Sequence, residues 1–245
     1  ANAPAVQEIK TTEGHTQLQS NTHTMAAPEQ QDKTTNATQV NPQAHAAVGT
    51  STASHSVPQS DSHASHHTAL GTDPETALRW LKNGNRRFIK GFLRNDGATF
   101  KDIKRLSAGQ KPHSVVLSCS DSRVPPEVIF DQKLGEIFTV RTAGEVVEPG
   151  VIGTIEYAVE HLGVRNLLVL GHTNCGAVKA ALSTLEGKDA GSNNLNHLVQ
   201  DIHPRLEQFK DRSPSGNFVE EGWANVNGVV KDLMKRSKIL EEKIK

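Results

Sequence analysis

The chain has 245 residues, a formal net charge of zero, 35% hydrophobic and 4% aromatic residues, and a mean hydropathy of −0.49. No run approaches the roughly 18–20 apolar residues that span a bilayer, and the balanced charge argues against nucleic acid or an anionic surface as partner. Two cysteines, Cys119 and Cys175, are too few for a disulfide scaffold.

Residues 1–79 contain no aromatic side chain, and all ten aromatics lie from Trp80 onward. Residues 1–72, rich in Ala, Thr, Ser, Gln, Asn and His, show neither helical nor strand periodicity and carry a net charge of −3. Such a segment buries too little to offset its ordering entropy, so a disordered tail is predicted. It holds seven of the twelve histidines, and His55, His63, His66 and His67 form a cluster that either binds divalent metal loosely or is simply solvated. The first residue is Ala, which reads as a processed chain or a fragment. A polar, cysteine-free leader fits a periplasmic or secreted protein, with the cytoplasm as the alternative.

Residues 73–245 read as one domain. Asp73-Pro74-Glu75 carries a helix N-cap, a proline at the first helical position and an acid in the first turn. Leu78, Leu81, Phe88, Ile89 and Phe92 mark the apolar face that follows, with a gap near Asn85. A short helix is expected over Phe100–Ala108, stopped by Gly109. Ser114–Ser118, Glu136–Val140 and Asn166–Leu170 are continuous apolar runs, which suits strands covered on both faces of a parallel sheet. Helical patterns lie between them, over Val151–Leu162 and from Cys175 to Leu185. Asn194–Phe209 and Phe218–Ile244 also read as helical, with Pro204 kinking or breaking the first. The class is α/β, a mostly parallel sheet flanked by helices.

Cys119-Ser-Asp121-Ser-Arg123 follows the first strand, and His172-Thr-Asn-Cys175 follows the third and opens a helix. Ligands of parallel α/β sheets bind at the carboxyl ends of the strands, so both segments fall on one edge. Two thiols and an imidazole suit Zn²⁺, and three protein ligands with an open fourth position mark a catalytic site. Cys175 at a helix N-terminus has its thiolate favoured. Two buried cysteines and a satisfied histidine are the alternative. Cys119 and Arg123 are too close, in a loop without glycine, for the phosphate cradle of a cysteine phosphatase. Asp121 can ligate the metal or accept a hydrogen bond from its water, with Arg123 holding the carboxylate ionised. An ordinary ion pair stiffening the loop is the other reading.

At these residues the sequence resembles a bacterial β-class carbonic anhydrase. The likeness rests on Cys119-Ser-Asp-Ser-Arg-Val-Pro, Val140-Arg141-Thr-Ala-Gly, Ile155-Glu-Tyr-Ala-Val-Glu-His-Leu-Gly163 and Gly171-His-Thr-Asn-Cys-Gly-Ala-Val. It implies one Zn²⁺ per chain on Cys119, His172 and Cys175, and hydration of carbon dioxide to bicarbonate by zinc-bound hydroxide, which Asp121 of the Asp121–Arg123 pair orients. It also implies substrate contacts from Gln110, Phe138, Ala143, Tyr157 and Gly176, although Phe138 and Tyr157 read equally as core. A homodimer or homotetramer is implied, with the helix from Asp73 to Lys90 laid across the partner. Two features depart from the family pattern. Members usually continue into a further edge strand after the last helix, and many have Asn where Glu145 stands. Hydrolysis of carbon disulfide or carbonyl sulfide, or a non-catalytic zinc protein, are the competing functions.

Overall fold

A computed structural model describes residues 71–244; the predicted tail, Gly71 and Thr72 aside, and its histidine cluster lie outside the described residues. Helix α1, Pro74–Lys90, starts as its sequence dictates: Asp73 accepts from the Thr76 N–H at 3.0 Å, and Gly91 ends the helix with φ 73°. Its buried face is Ala77, Leu81 and Gly84, while Ile89 and Phe92, expected on that face, are 64% and 74% exposed. The cause is a close crossing. A Cβ on Gly84 would stand 1.6 Å from the Phe130 carbonyl oxygen, and Asn85 donates to the Ile129 carbonyl at 3.1 Å, so the contact is small and polar where an apolar stripe was predicted.

Helix α2, Phe100–Arg105, opened by a Thr99–Asp102 capping box and continued by a tight turn to Ala108, matches the predicted short helix. Strands β1 (Ser114–Cys119), β2 (Ile137–Thr142) and β3 (Leu167–Leu170) form a parallel sheet in the order β2–β1–β3. The short helix α3, Pro126–Ile129, was not anticipated. Val115 and Leu117 face helix α4 (Pro149–His161), helix α7 (Val219–Arg236) and helix α8 (Lys238–Lys243), while Val116 faces Leu81 of α1 and Ile129 of α3. Alternate residues thus enter two different cores, which is why β1 is apolar throughout. β1 and β3 are covered as expected; β2 is not, with only Ile137 and Val140 buried, although β2 and β3 are both edge strands of the sheet.

A third core joins Cys119 and Cys175 to helix α5 (Gly176–Leu185) and helix α6 (Asn193–Leu206). Pro204 does not break α6: it sits in the last turn, and a tight turn carries the chain to Phe209. The predicted helical stretch over Phe218–Ile244 is instead two helices. Ser237 divides them, capping the Leu240 N–H and donating to Glu156 Oε1 at 2.6 Å.

Candidate metal centre and active site

Ser118 lies opposite Leu170 in the register, so β1 and β3 deliver Cys119 and the loop 171–175 to the same sheet edge. A Cβ on Gly171 would meet Val226 of α7 at 2.5 Å; glycine lets the chain pass under that helix. His172 follows, buried, with Nδ1 3.0 Å from the Thr173 carbonyl. A carbonyl only accepts, so Nδ1 carries the proton and Nε2 presents its lone pair. That buried Nε2 has no hydrogen-bond partner. Asn174 makes the turn at φ 57°, tied to Asn217 by backbone and side chain, and Cys175 caps α5.

Both cysteines are buried and free, their sulfurs 3.8 Å apart, and the two sulfurs and an imidazole nitrogen all lie within 4.8 Å of one another. The Cys119 thiol is lowered to about 4: the Cys175 thiol donates to it, burial opposes this, and His172 and the Gly144 N–H at 3.4 Å add to the lowering. The Cys175 thiol is pushed far up by the neighbouring Cys119 sulfur and by burial. Burial works against the His172 imidazolium but is outweighed by Cys119 and Asp121, so the ring's pKa is raised. Two buried sulfurs that cannot both ionise, facing an unpartnered imidazole nitrogen, are a donor set completed by a divalent cation. The chemistry fits zinc.

Asp121 lies beside this group, with Oδ2 3.8 Å from His172 Nε2. Arg123 donates to it three times: Nε to Oδ1 at 2.9 Å, Nη2 to Oδ2 at 2.7 Å and the backbone N–H to Oδ1 at 3.0 Å. The guanidinium holds the carboxyl well below the usual carboxylate range. Arg141, present in the sequence only as a motif letter, clamps this loop. Its Nε donates to the Cys119 carbonyl at 3.0 Å and its Nη2 to the Asp121 carbonyl at 2.7 Å.

The five residues expected to contact substrate divide. Ala143 directly follows β2 and precedes Gly144, whose N–H reaches Cys119; Gly176 follows Cys175, with open space where a Cβ would be. Gln110, Phe138 and Tyr157 are not brought to the triad of their own chain. Gln110 precedes β1 and so lies at its amino end, whereas Cys119 closes the carboxyl end, six strand residues or about 17 Å away. Phe138 is paired with Val115, four positions before Thr142 reaches Cys119, and its ring lies 6.3 Å from that of Tyr157.

Behind the site lie Glu145, marked in the sequence only as a departure from the family pattern, and Asn225, which sequence reasoning missed. Glu145 is buried, at φ 54°, and its carboxyl is raised to about 8 by burial and then by the Cys119 charge. Asn225 donates to it at 2.9 Å. An apolar cleft lined by Phe218, Trp223 and Val226 opens on His172.

Residues 114–245 match the family described as carbonic anhydrase. Carbonic anhydrase 2 of Mycobacterium tuberculosis is 38% identical over 184 residues, covering 71% of this chain and 83% of that protein. The carbonic anhydrase of Mycolicibacterium smegmatis is 40% identical over 167 residues, covering 68% and 80%. Among solved structures, the Coccomyxa β-carbonic anhydrase in complex with acetazolamide is 25% identical, with a TM-score of 0.52 over 70% of this chain and 75% of that one. A likeness that holds in sequence across most of both chains and in the backbone has one reading: the chain belongs to the β-class carbonic anhydrase family.

Proposed function

We propose that the protein interconverts carbon dioxide and bicarbonate with one Zn²⁺ held by Cys119, His172 and Cys175. The carrying observation is a buried His172 with an unpartnered Nε2, grouped with two free thiols so that the ligand atoms of all three lie within 4.8 Å of one another, beside an ion-paired Asp121. Bound zinc supplies a Lewis acid that lowers the pKa of water from about 15.7 towards 7, and so a nucleophile at neutral pH.

The chain's own residues do the rest. His172 is held in the ligating tautomer by the Thr173 carbonyl. Both Asp121 oxygens are engaged by Arg123, so the carboxylate stays ionised and turned towards the guanidinium rather than free to ligate a metal on the three donors. Beside that group it would accept a hydrogen bond from the attacking oxygen and orient it. Arg141 fixes the backbone that carries both Cys119 and Asp121. Ala143 and Gly176 leave a small, uncharged approach for carbon dioxide.

Gln110, Phe138 and Tyr157 act on the site of a second copy, in a homodimer or homotetramer. The support is their distance from their own triad, together with exposed apolar surface at Phe92, Phe100 (81%) and Tyr157 (48%). Complementation tests this. A mixture of inactive Cys119→Ser and Gln110→Ala chains is expected to regain activity, because a mixed dimer pairs an intact triad with an intact glutamine; no recovery would place Gln110 outside the reaction or within its own site. The polar leader supports export to the periplasm, which fractionation of the source cell tests.

A further inference from the structure

Behind the metal centre lies a buried polar contact that none of the residues so far needs. Asn225, on the inner face of α7, is fully buried. Its Nδ2 donates to the Gly144 carbonyl at 2.9 Å and to Glu145 Oε2 at 2.9 Å, and its Oδ1 accepts from Arg205 Nη1 at 3.3 Å. Two acceptors on one side and a guanidinium on the other leave the amide a single orientation. Arg205 is itself anchored, with 3% of its side chain exposed, by Asp201 at 2.7 Å and Asp232 at 2.8 Å. Asp201 in turn accepts from the Val147 N–H at 3.1 Å.

Gly144 is the residue this contact holds. It stands at φ 67°, and an added Cβ would meet Ile202 Cδ1 at 2.7 Å and Ala177 Cβ at 2.8 Å, so only glycine fits. Its carbonyl and N–H flank one Cα, and with Ile202 and Ala177 packed against that Cα, anchoring the carbonyl restrains where the N–H points. It points at the Cys119 sulfur, 3.4 Å away. An N–H that donates to a thiolate withdraws charge from sulfur and weakens its donation to a metal.

We propose that Asn225 is a positioning residue of the metal centre: through Gly144 it sets the hydrogen bond to the Cys119 sulfur and hence the charge that sulfur gives to a bound metal. The inference rests on the metal reading above. Removing the amide leaves the buried Gly144 carbonyl without a partner in a residue free to rotate, and the N–H leaves the sulfur.

The test uses the full chain loaded with cobalt(II), whose thiolate-to-metal charge-transfer band reports the electron density on sulfur. Asn225→Ala is expected to move that band to longer wavelength, since a sulfur without its hydrogen bond gives up an electron more easily. Leu81→Ala, in the separate core between α1, α3 and the opposite face of the sheet, is the control for lost stability alone and is expected to keep the wild-type band. An unshifted band in Asn225→Ala, or an equal shift in the control, overturns the proposal. If Asn225→Ala does not fold, the isosteric Asn225→Asp, which keeps the acceptor for Arg205 and loses the donor, is judged by the same band. Failure of the wild-type chain to give any such band overturns the metal reading itself, which keeps the two failures apart.

Discussion

Cys119, His172 and Cys175 were legible as a set rather than one by one, because thiols and an imidazole at strand ends have few other uses together. Substituting Cys175→Ser is predicted to abolish both metal retention and hydration, read by metal analysis of the purified chain and by turnover. Asp121→Asn removes the anionic acceptor without touching a metal ligand, so metal content is expected to hold while kcat/KM falls by about two orders of magnitude. Arg141→Lys cannot span two carbonyls with one ammonium. A loss of activity with metal retained is expected there too, and unchanged kinetics would show that the clamp is dispensable. The supporting residues were not legible. Arg141 reaches back 22 positions, the Gly144 N–H 25 and Asn225 81, and no local pattern marks such contacts before the chain is folded.

At the scale of elements, caps and breakers were read well because they act within a few residues: Asp73 and Gly109 lie where helical segments begin and end. Misreadings arose where one element meets another. The α1 stripe held at Leu81 and Phe88 but not at Ile89 and Phe92, since a glycine and an asparagine make part of the crossing with α3, and β2 read as covered on both faces because an apolar run does not reveal how far neighbouring helices reach over it. Asp131 ties these elements together. It stands at φ 46° after α3 and is bound by Arg87 of α1 and by the side chain and backbone N–H of Arg94. Burial works against its charged form but the two arginines outweigh it, leaving the folded pKa below the ordinary value. The stabilisation is therefore complete above about pH 4, the unfolded value, and fades as pH falls through the folded one. Asp131→Asn, which tolerates the same backbone, is predicted to cost about 2 kcal/mol at neutral pH in urea unfolding. The difference from wild type should narrow on acidification. A difference constant with pH would show that the pairing is not its source.

For the whole molecule, composition separated a polar leader from a catalytic domain, and parallel topology put both motifs on one sheet edge. The spacing also held a clue that motif matching passes over: Gln110 stands nine residues before Cys119, and the six-residue strand that ends at Cys119 separates it from the sheet edge that carries the triad. Deleting residues 1–72 is predicted to leave turnover unchanged within about twofold, because every residue assigned to the site lies beyond them. A large loss would make the leader part of the working enzyme. Phe100→Glu places a charge on the exposed apolar surface and is expected to shift sedimentation towards the monomer, with activity falling alongside. The most direct test is metal content measured together with stopped-flow hydration of carbon dioxide from mildly acidic to mildly alkaline pH. The full chain is predicted to hold about one zinc per chain and to hydrate carbon dioxide, with Cys175→Ser doing neither; one tightly held zinc per chain with no hydration anywhere in that range would contradict the account.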